Sequence, residues 1–453
     1  MSRSGIRQSL GVALLGLLAG MLIYQPRQDS HRVPPNRREV VFWHFWGGRH
    51  RAVVEEIVAR FNASQHEHFV RAIAMPGANL DLKFFLSVTG GDPPDLLNHD
   101  DPVVADWAYR GAIQPLSKLT TPDEYARLEN WLFPTARALG TYDGKLYALC
   151  NGLDIRALYY DKTLLDRLKL QPPKTLAELD ALALRITPVE KGVTPHRYGF
   201  LPDPRRIWAW GIVFGGRFYD PPSGRITANS QPIVRALDWM ASYSRRYGAR
   251  AVAAFRKGDQ ALAGASFPLL EGRYAMLMDG QWRVPEIVAS RRAARRDGRP
   301  AARYGVVPLP PPPGGRENAG WVNGNFFVVP RGAHNPEGAW AFAKFWSGFD
   351  GHEPQAARHC AAGGWIPASQ QVVAQAEFQR FLEDFPQFAT FVALASSEQQ
   401  IPTPVVPGAM YFYTQIVRAA EDAMYRGKPP REALDEATER VRRHLRELTV
   451  ETR

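Results

Sequence analysis

The stretch VVFWHFWGGRHRAVVEEIVARF, residues 40–61, contains a short strand followed at once by a helix. β-Branched and aromatic residues fill most of its first seven positions, a composition typical of a buried strand. Gly47 and Gly48 interrupt that run. Apolar residues then recur at the three- and four-residue spacing of a helix face, at Val54, Ile57, Val58 and Phe61. A strand that leads directly into a helix is the building unit of α/β folds.

Strand and helix signals continue to alternate beyond this stretch. Phe69–Ala74 has the pattern of a second strand, Leu80–Val88 is helical, and Asp95–Leu97 begins a third strand. Consecutive strand–helix–strand units bring their strands side by side in the same direction. We therefore predict an α/β fold with mainly parallel sheets flanked by helices.

The composition is that of a soluble folded protein. The 453 residues are 45% hydrophobic and 22% charged, which excludes a largely disordered chain and a polytopic membrane protein. Two cysteines, Cys150 and Cys360, are too few for a disulfide scaffold or a cysteine-ligated zinc site. The formal net charge is +11, but the arginine-rich run at 291–303 has no aromatic residues among its charges. Because base stacking needs such rings, we predict no nucleic-acid partner.

The N-terminus has the pattern of a secretion signal. Arg3 and Arg7 precede an uncharged apolar stretch, Leu10–Tyr24, which as a helix spans about 22 Å against a hydrocarbon core of roughly 30 Å. We interpret residues 1–24 as a signal sequence or short N-terminal anchor, and residues 25–38 as a linker. The body is therefore expected in the periplasm or at the outer face of the cytoplasmic membrane. A disulfide between the two cysteines is an open alternative in such a compartment.

Five segments together resemble a known family. They are Phe42–Gly48 (FWHFWGG), Gly90–Asp95 (GGDPPD), Asp143–Leu149 with Tyr159–Lys162, Gly272–Met276 with Gly280–Trp282, and Asn335–Phe342. In this order they resemble the extracellular solute-binding proteins of ATP-driven sugar importers, the maltose-binding-protein-like group.

The resemblance implies a two-lobe periplasmic-binding-protein-like fold of type II, with a ligand cleft between lobes that close by hinge motion. Lobe 1 would comprise residues 40–150 and 308–350, and lobe 2 residues 153–303 and 356–453. The resemblance also implies a sugar or oligosaccharide ligand, delivery to the permease subunits of an ABC transporter, no catalysis, and no metal or other cofactor. The N-terminal segment offers a means of membrane association.

A sugar site needs flat aromatic surfaces for the C–H faces of the ring and directional polar groups for its hydroxyls. Trp282 resembles the family's stacking tryptophan, and Asp279 lies three residues before it. At the end of the first strand we expect His44 and Trp46 to face the cleft and Trp43 to lie in the core, since alternate residues point to opposite faces.

Further candidates follow the third strand and the first predicted crossing between the lobes. Asn98, His99 and Asp100 lie at the end of the third strand, where ligands of open α/β sheets bind. Asp154 follows the crossing and has apolar neighbours on both sides. Five more ligand-binding candidates complete the set: Trp208, Trp321, Asn323, Trp365 and Tyr411. For the aromatic candidates, packing in the core is the alternative.

Other classes of function stay open at this level. A secreted carbohydrate-active enzyme would use two carboxylates in the same cleft, although the sequence has no G-x-S-x-G, P-loop or H-E-x-x-H motif. A membrane-anchored sensor or scaffold would share the fold. The abundance of arginine keeps a glycerol-phosphate or polyol ligand as a further alternative.

Overall fold

A computed structural model of the chain describes residues 33–75, 80–100, 102–188, 195–262 and 267–450. The predicted signal or anchor, residues 1–24, and most of the predicted linker lie outside these ranges. No helix within the described ranges combines the length and the apolar character that crossing a membrane requires.

The central element of the fold is a mixed sheet of eight strands. The strands of the described residues are β1 (Arg38–His44), β2 (His68–Ala74), β3 (Leu96–His99), β4 (Thr141–Tyr142), β5 (Lys145–Leu146), β6 (Ala148–Asp161), β7 (Tyr219–Asp220), β8 (Arg225–Ile226), β9 (Met276–Gly280), β10 (Tyr304–Val307), β11 (Gly320–Val328) and β12 (Gln400–Pro402). The sheet has the order β10-β6-β11-β3-β1-β2, with β12 paired to β11 and β9 paired to β6. The pairs β4–β5 and β7–β8 form separate two-stranded sheets.

The sheet is less parallel than the sequence pattern predicts. Strands β2 and β3 are parallel to β1, as expected for strands linked by helices, and β12 is parallel to β11. In contrast, β6 is antiparallel to β11, β9 and β10, and β11 is antiparallel to β3. The rule for strand–helix–strand units governs neighbours in sequence. It carries no information about strands such as β6 and β11, which are far apart in the chain.

Helices cover both faces of this sheet. In chain order they are α1 (Gly48–Ser64), α2 (Leu80–Thr89), α3 (Val104–Tyr109), α4 (Pro122–Trp131), α5 (Pro134–Gly140), α6 (Lys162–Arg167), α7 (Leu176–Ile186), α8 (Ile207–Val213), α9 (Gln231–Tyr247), α10 (Ala249–Leu262), α11 (Val284–Arg296), α12 (Pro336–Ser347), α13 (Glu353–Gly363), α14 (Gln370–Val373), α15 (Ala376–Asp384), α16 (Phe388–Ala395), α17 (Ala409–Tyr425) and α18 (Pro430–Val450). Helix α12 packs on β1 and β6, and α1 packs on β2 and α12. Helix α8 packs on β11, with α9 against α8 and both α17 and α18 against α9.

The aspartate that ends the GGDPPD segment, Asp95, connects β1 to the residue that precedes α12. Asp95 is buried, and its carboxylate accepts hydrogen bonds from the backbone N–H of Val41 (2.8 Å) and of Asn335 (2.6 Å). Asn335 is in turn the N-cap of α12, where its side chain accepts from the backbone N–H of Gly338. This segment therefore ties β1 to the start of α12, and its role is structural.

Strand β6 connects two parts of the sheet. Its first half, Ala148–Ile155, pairs with β11, whereas its second half pairs with β9 and β10. Asp154 lies where the partner strands change. The predicted lobe boundaries remain a prediction. Most of helix α13 belongs to predicted lobe 2, which resumes at residue 356. The helix packs against α12 and α1, which belong to predicted lobe 1.

Cys150 and Cys360 are free, and both are buried. The disulfide that the sequence left open is therefore not formed in this structure. Burial raises the pKa of the Cys150 thiol to about 12, so the thiol stays protonated at neutral pH.

Candidate ligand-binding site

The register of the central strands puts polar and aromatic residues on one face of the sheet. Asn323 on β11 lies opposite Asp154 on β6. Arg156 and Trp321, each two residues away, share that face because strand side chains alternate. On the other side of β6, Gly280 of β9 lies opposite Arg156.

Trp282 folds back over Gly280. Three carbons of its six-membered ring lie 2.5 Å or less from the position that a Cβ on residue 280 would take. Only a glycine leaves room for the indole there. The ring is thereby held on the same face as Arg156, with the Arg156 guanidinium carbon 5.2 Å from the ring centroid.

Five side chains stack into a continuous row, which we call the aromatic ladder: Trp208, Tyr413, Trp321, Arg156 and Trp282. The first three rings are nearly parallel, with centroids 6.0 Å apart for the first pair and 5.8 Å apart for the second. The guanidinium carbon of Arg156 then lies 4.3 Å from the Trp321 centroid, so that the cation is held between two indoles.

The members of the ladder differ in exposure. Trp208 is fully buried and Trp321 is 3% exposed. Trp282 and Tyr413 are half-buried. Tyr413 lies between Trp208 and Trp321, so both faces of its ring are covered, whereas Trp282 ends the row. Trp282 is therefore the ring that can stack against a sugar, while the other members of the ladder hold it in position.

Asp154 is the carboxylate beside the ladder. Its Oδ1 accepts a hydrogen bond of 2.6 Å from the side-chain amide of Gln281. Gln281 also accepts from the backbone N–H of Ile155 and donates to the carbonyl of Leu153, so it fixes the strand and the carboxylate together. Burial raises the pKa of Asp154, and the nearby Arg156 is the largest of the effects that oppose this rise.

A groove extends from the face that bears Asn323. Asp100, Asn323 and Thr403 line a small cavity together with Gly324 and Val405. The two residues Thr403 and Val405 also line a larger groove of about 520 Å³ between the α5 segment and residues 217–221. That volume lies in the range of small-molecule sites. Thr403 is fixed at this junction by a 3.0 Å hydrogen bond from the indole N–H of Trp321.

The structure brings a subset of the predicted site residues together. Asp154 and Trp282 share one face with Asn323, which lies opposite Asp154 on the neighbouring strand. Asp100 and Asn323 both line the small cavity. Trp208 and Trp321 belong to the aromatic ladder as buried members. Asp279 lies next to it, with Oδ2 accepting from the Nε of Arg283 at 2.9 Å.

His44 and Trp46 lie in the core, contrary to the expectation that they face the cleft. They are only 1% and 6% exposed, whereas Trp43 is half-buried. Trp46 stacks on Trp346 at 5.3 Å and packs on Trp365 at 5.4 Å. Alternation separates Trp43 from the other two as predicted, but helix α12 covers the face that carries His44 and Trp46. Burial lowers the pKa of His44 to about 4.

Four other candidates also have packing partners. Trp365 is 4% exposed, and its Cβ lies 3.1 Å from the position that a Cβ on Gly152 would take, which by alternation is on the same face of β6 as Asp154. Asn98 is buried and donates to Asn151 and to the carbonyl of Phe326. His99 packs edge-on against Trp107, and burial lowers its pKa to about 4. Tyr411 packs on His444 of α18.

Several residues of the site were missed by sequence reasoning. Arg156 follows Asp154 by two positions on a strand, so its place on the same face was readable from alternation. Tyr413 is two residues from the chosen Tyr411, and a helix turns those side chains about 200° apart. Gln281 and Thr403 carry no sequence signal, because their partners come from distant segments.

Within the described part of the chain, no group of three or more His, Cys, Asp or Glu residues is arranged to hold a metal ion.

An α/β fold that presents aromatic rings, a carboxylate and an amide on one sheet face beside a groove is the arrangement of a small-molecule binding protein. The profile of the family described as bacterial extracellular solute-binding protein matches residues 47–349. The chain belongs to this family. The predicted type II α/β fold and substrate-binding role are confirmed, and the family's extracellular character agrees with the predicted location outside the cytoplasm.

Relatives of the chain have names that refer to sugars. The maltodextrin-binding protein MdxE of Bacillus subtilis is 23% identical over 321 residues, covering 68% of this chain and 69% of that protein. A maltooligosaccharide ABC transporter solute-binding lipoprotein of Streptococcus pneumoniae is 26% identical over 214 residues, which is 45% of each chain.

Solved structures share the fold over nearly the whole described chain. The structure of CpMnBP1 with mannotriose bound has a TM-score of 0.73 and 25% identity, covering 89% of this chain and 100% of that one. The sugar-binding protein MalE from Xanthomonas citri has a TM-score of 0.73 and 20% identity, covering 92% and 100%.

Proposed function

We propose that the chain binds a sugar or oligosaccharide at the aromatic ladder and passes it unchanged to the permease subunits of an ATP-driven importer. The observation that carries this proposal is the combination of the half-buried Trp282 ring, at the end of the ladder, with Asp154 and Asn323, which lie opposite each other on neighbouring strands. The sugar ligands named for the relatives from Bacillus subtilis and Streptococcus pneumoniae support it.

The chemistry of a pyranose matches this arrangement. Its C–H faces are weakly apolar, and one of them packs on the free surface of Trp282. Its hydroxyls donate to the Asp154 carboxylate, a charge-assisted hydrogen bond that gains strength in a partly desolvated cleft. Asn323 and Thr403 offer further polar groups toward the groove, which has room for additional sugar units.

The proposal includes a location and a motion. The protein would work in the periplasm or at the outer face of the cytoplasmic membrane, held there by residues 1–24 if that segment is retained. The lobes, 40–150 with 308–350 and 153–303 with 356–453, would close on the ligand by bending near Asp154, where β6 changes partner strands.

The proposal is tested by a thermal-shift screen of the purified protein against mono- and oligosaccharides, followed by titration calorimetry. A ligand at 100 times its Kd adds about 2.7 kcal/mol to the free energy of unfolding, which for a chain of this size raises the melting temperature by about 3 °C. We expect a rise with one saccharide class and recovery of the ligand intact. Absence of any shift across the panel would contradict the proposal, and turnover of a glycoside would favour an enzyme.

A variant pair connects the binding to the site. Trp282→Ala removes the flat surface and should weaken saccharide binding about ten-fold or more, whereas Trp282→Phe keeps a ring and should retain part of the affinity. Unchanged affinity in Trp282→Ala would remove this residue from the binding site.

A further inference from the structure

Arg156 is a buried cation without a carboxylate partner. The residue is 7% exposed, and the one hydrogen bond from its side chain goes to the carbonyl of Asp154 at 2.9 Å. Its Nε is buried without a hydrogen-bond partner. Among the described residues it forms no salt bridge, and its two flat neighbours are the indoles of Trp282 and Trp321.

The acidic groups around Arg156 are already engaged by other donors. Asp154 accepts from Gln281 at 2.6 Å, and Asp279 accepts from Arg283 at 2.9 Å. Asp203, a further carboxylate of this region, is paired with Arg205 at 2.9 Å.

A second arginine of the same region is only weakly paired. Arg206 lies 3.6 Å from Asp279, a carboxylate that Arg283 already binds more closely. Its Nε is also buried without a hydrogen-bond partner. The positive charges of Arg156 and Arg206 act on each other, and both act on the Tyr413 hydroxyl. The two guanidinium groups therefore lie near the phenol hydroxyl of the half-buried Tyr413.

A buried guanidinium whose N–H donors are unsatisfied is unfavourable unless an acceptor arrives. Guanidinium groups recognise carboxylate and phosphate oxygens through paired N–H donors. Arg156 belongs to the aromatic ladder and the charge of Arg206 acts on Tyr413 of the same ladder, so we infer that the missing acceptor belongs to the ligand that stacks there.

We propose that the preferred ligand is an acidic saccharide, a sugar with a carboxylate or phosphate substituent that Arg156 and Arg206 bind while its ring packs on Trp282. This inference rests on the proposed function and names the substrate class for that same site. The sugar ring supplies the stacking contact and the anion supplies the charge that the protein lacks.

The experiment compares neutral and acidic ligands of matched shape by titration calorimetry on the purified full chain. The probes are mannotriose against the trimer of mannuronate, and mannose against mannose 6-phosphate. We expect one acidic probe to bind at least ten-fold more tightly than its neutral counterpart, and to lose affinity as the salt concentration rises. The two acidic probes distinguish a carboxylate from a phosphate as the recognised group.

Three variants assign the effect to these residues. Arg156→Met should lower the affinity for the acidic probe at least ten-fold more than the affinity for the neutral probe, which loses only the contact between Arg156 and the Trp282 ring. Arg206→Gln, at the less buried arginine, should act in the same direction and keeps the test valid if Arg156→Met does not fold. Arg303→Gln removes an exposed charge that is paired with Asp166, so it should leave both affinities unchanged.

Equal affinities for the neutral and acidic probes would overturn the inference and leave the proposed function standing. Equal losses for both probes in Arg156→Met and Arg206→Gln would also overturn it, since the arginines would then serve the fold. If no saccharide of either kind binds, the proposed function itself fails and the inference fails with it.

Discussion

Replacing Gly280 with alanine adds a single methyl group directly under the Trp282 indole. The backbone permits the change, because residue 280 has φ −94° and ψ 173°, a conformation that alanine adopts without strain. The space does not permit it. The new Cβ would lie 2.5 Å or less from three carbons of the Trp282 ring, whereas ordinary contact begins at 3.4 Å.

The nearest of these carbons would lie 2.1 Å from the new Cβ, so the indole must move by about 1.3 Å to restore ordinary contact. Overpacking of this kind costs about 1–3 kcal/mol of folding stability. The shift also takes the ring away from Arg156, now 5.2 Å from its centroid, and a cation–π contact is worth about 0.5–2 kcal/mol. We expect Gly280→Ala to lower the free energy of unfolding by about 2 kcal/mol and saccharide affinity by about ten-fold.

Urea denaturation and titration calorimetry on four proteins measure this effect: the parent, Gly280→Ala, Trp282→Ala and the double variant. In the Trp282→Ala background the ring is absent, so Gly280→Ala should change the free energy of unfolding by less than about 0.5 kcal/mol. Gly47→Ala is the control, since a Cβ there meets no atom within 4 Å. A loss of stability that is the same with and without the indole would refute the steric argument.

Four more predictions rest on particular residues of the structure. Burial raises the pKa of Asp154, so affinity for a neutral saccharide should fall as the pH is lowered from 7 toward 4, and calorimetry should find no such dependence in Asp154→Asn. Gln281→Leu removes the 2.6 Å hydrogen bond to that carboxylate and should weaken binding several-fold, with Gln375→Leu, at a half-buried glutamine that donates to the carbonyl of Gln371, as a control that leaves binding unchanged. Asp95→Ala leaves two backbone N–H groups without their acceptor and should lower the free energy of unfolding by about 3 kcal/mol in urea, while the Kd of the folded protein stays the same. His44, His99 and His359 are buried and have a pKa of about 4 in the folded state, against 6.5 in the unfolded chain. Between these two pH values the unfolded chain binds more protons than the folded protein. The free energy of unfolding should therefore fall as the pH drops from 6.5 to 4, by on the order of 3 kcal/mol for each histidine. A urea titration series that is flat over this window would contradict the last prediction.

The family and the α/β class were predictable because they depend on order along the chain. The alternation of apolar strands and amphipathic helices and the five segments in sequence needed no knowledge of contacts. Trp282 and Asp154 were predicted as ligand-binding residues in the same way, Trp282 from its segment and Asp154 from its position after the predicted crossing between the lobes.

Whether a side chain faces the cleft or the core was harder to predict. Alternation correctly separates Trp43 from His44 and Trp46, but it does not say which face a helix will cover, and α12 covers the face with His44 and Trp46. Trp365 and Tyr411 lie in promising segments, yet each has its ring packed against another residue of the chain.

The chain by itself determined the repeating strand–helix units, the glycine two residues before Trp282, and the class of binding protein. These features are encoded in short segments, where composition and spacing act locally. Only the tertiary structure decided the antiparallel pairing of β6 with β11 and the stacking of Tyr413, Trp321, Arg156 and Trp282. Those contacts join residues that are far apart in sequence, and they form because burial of the rings and register of the strands are satisfied together in the folded chain.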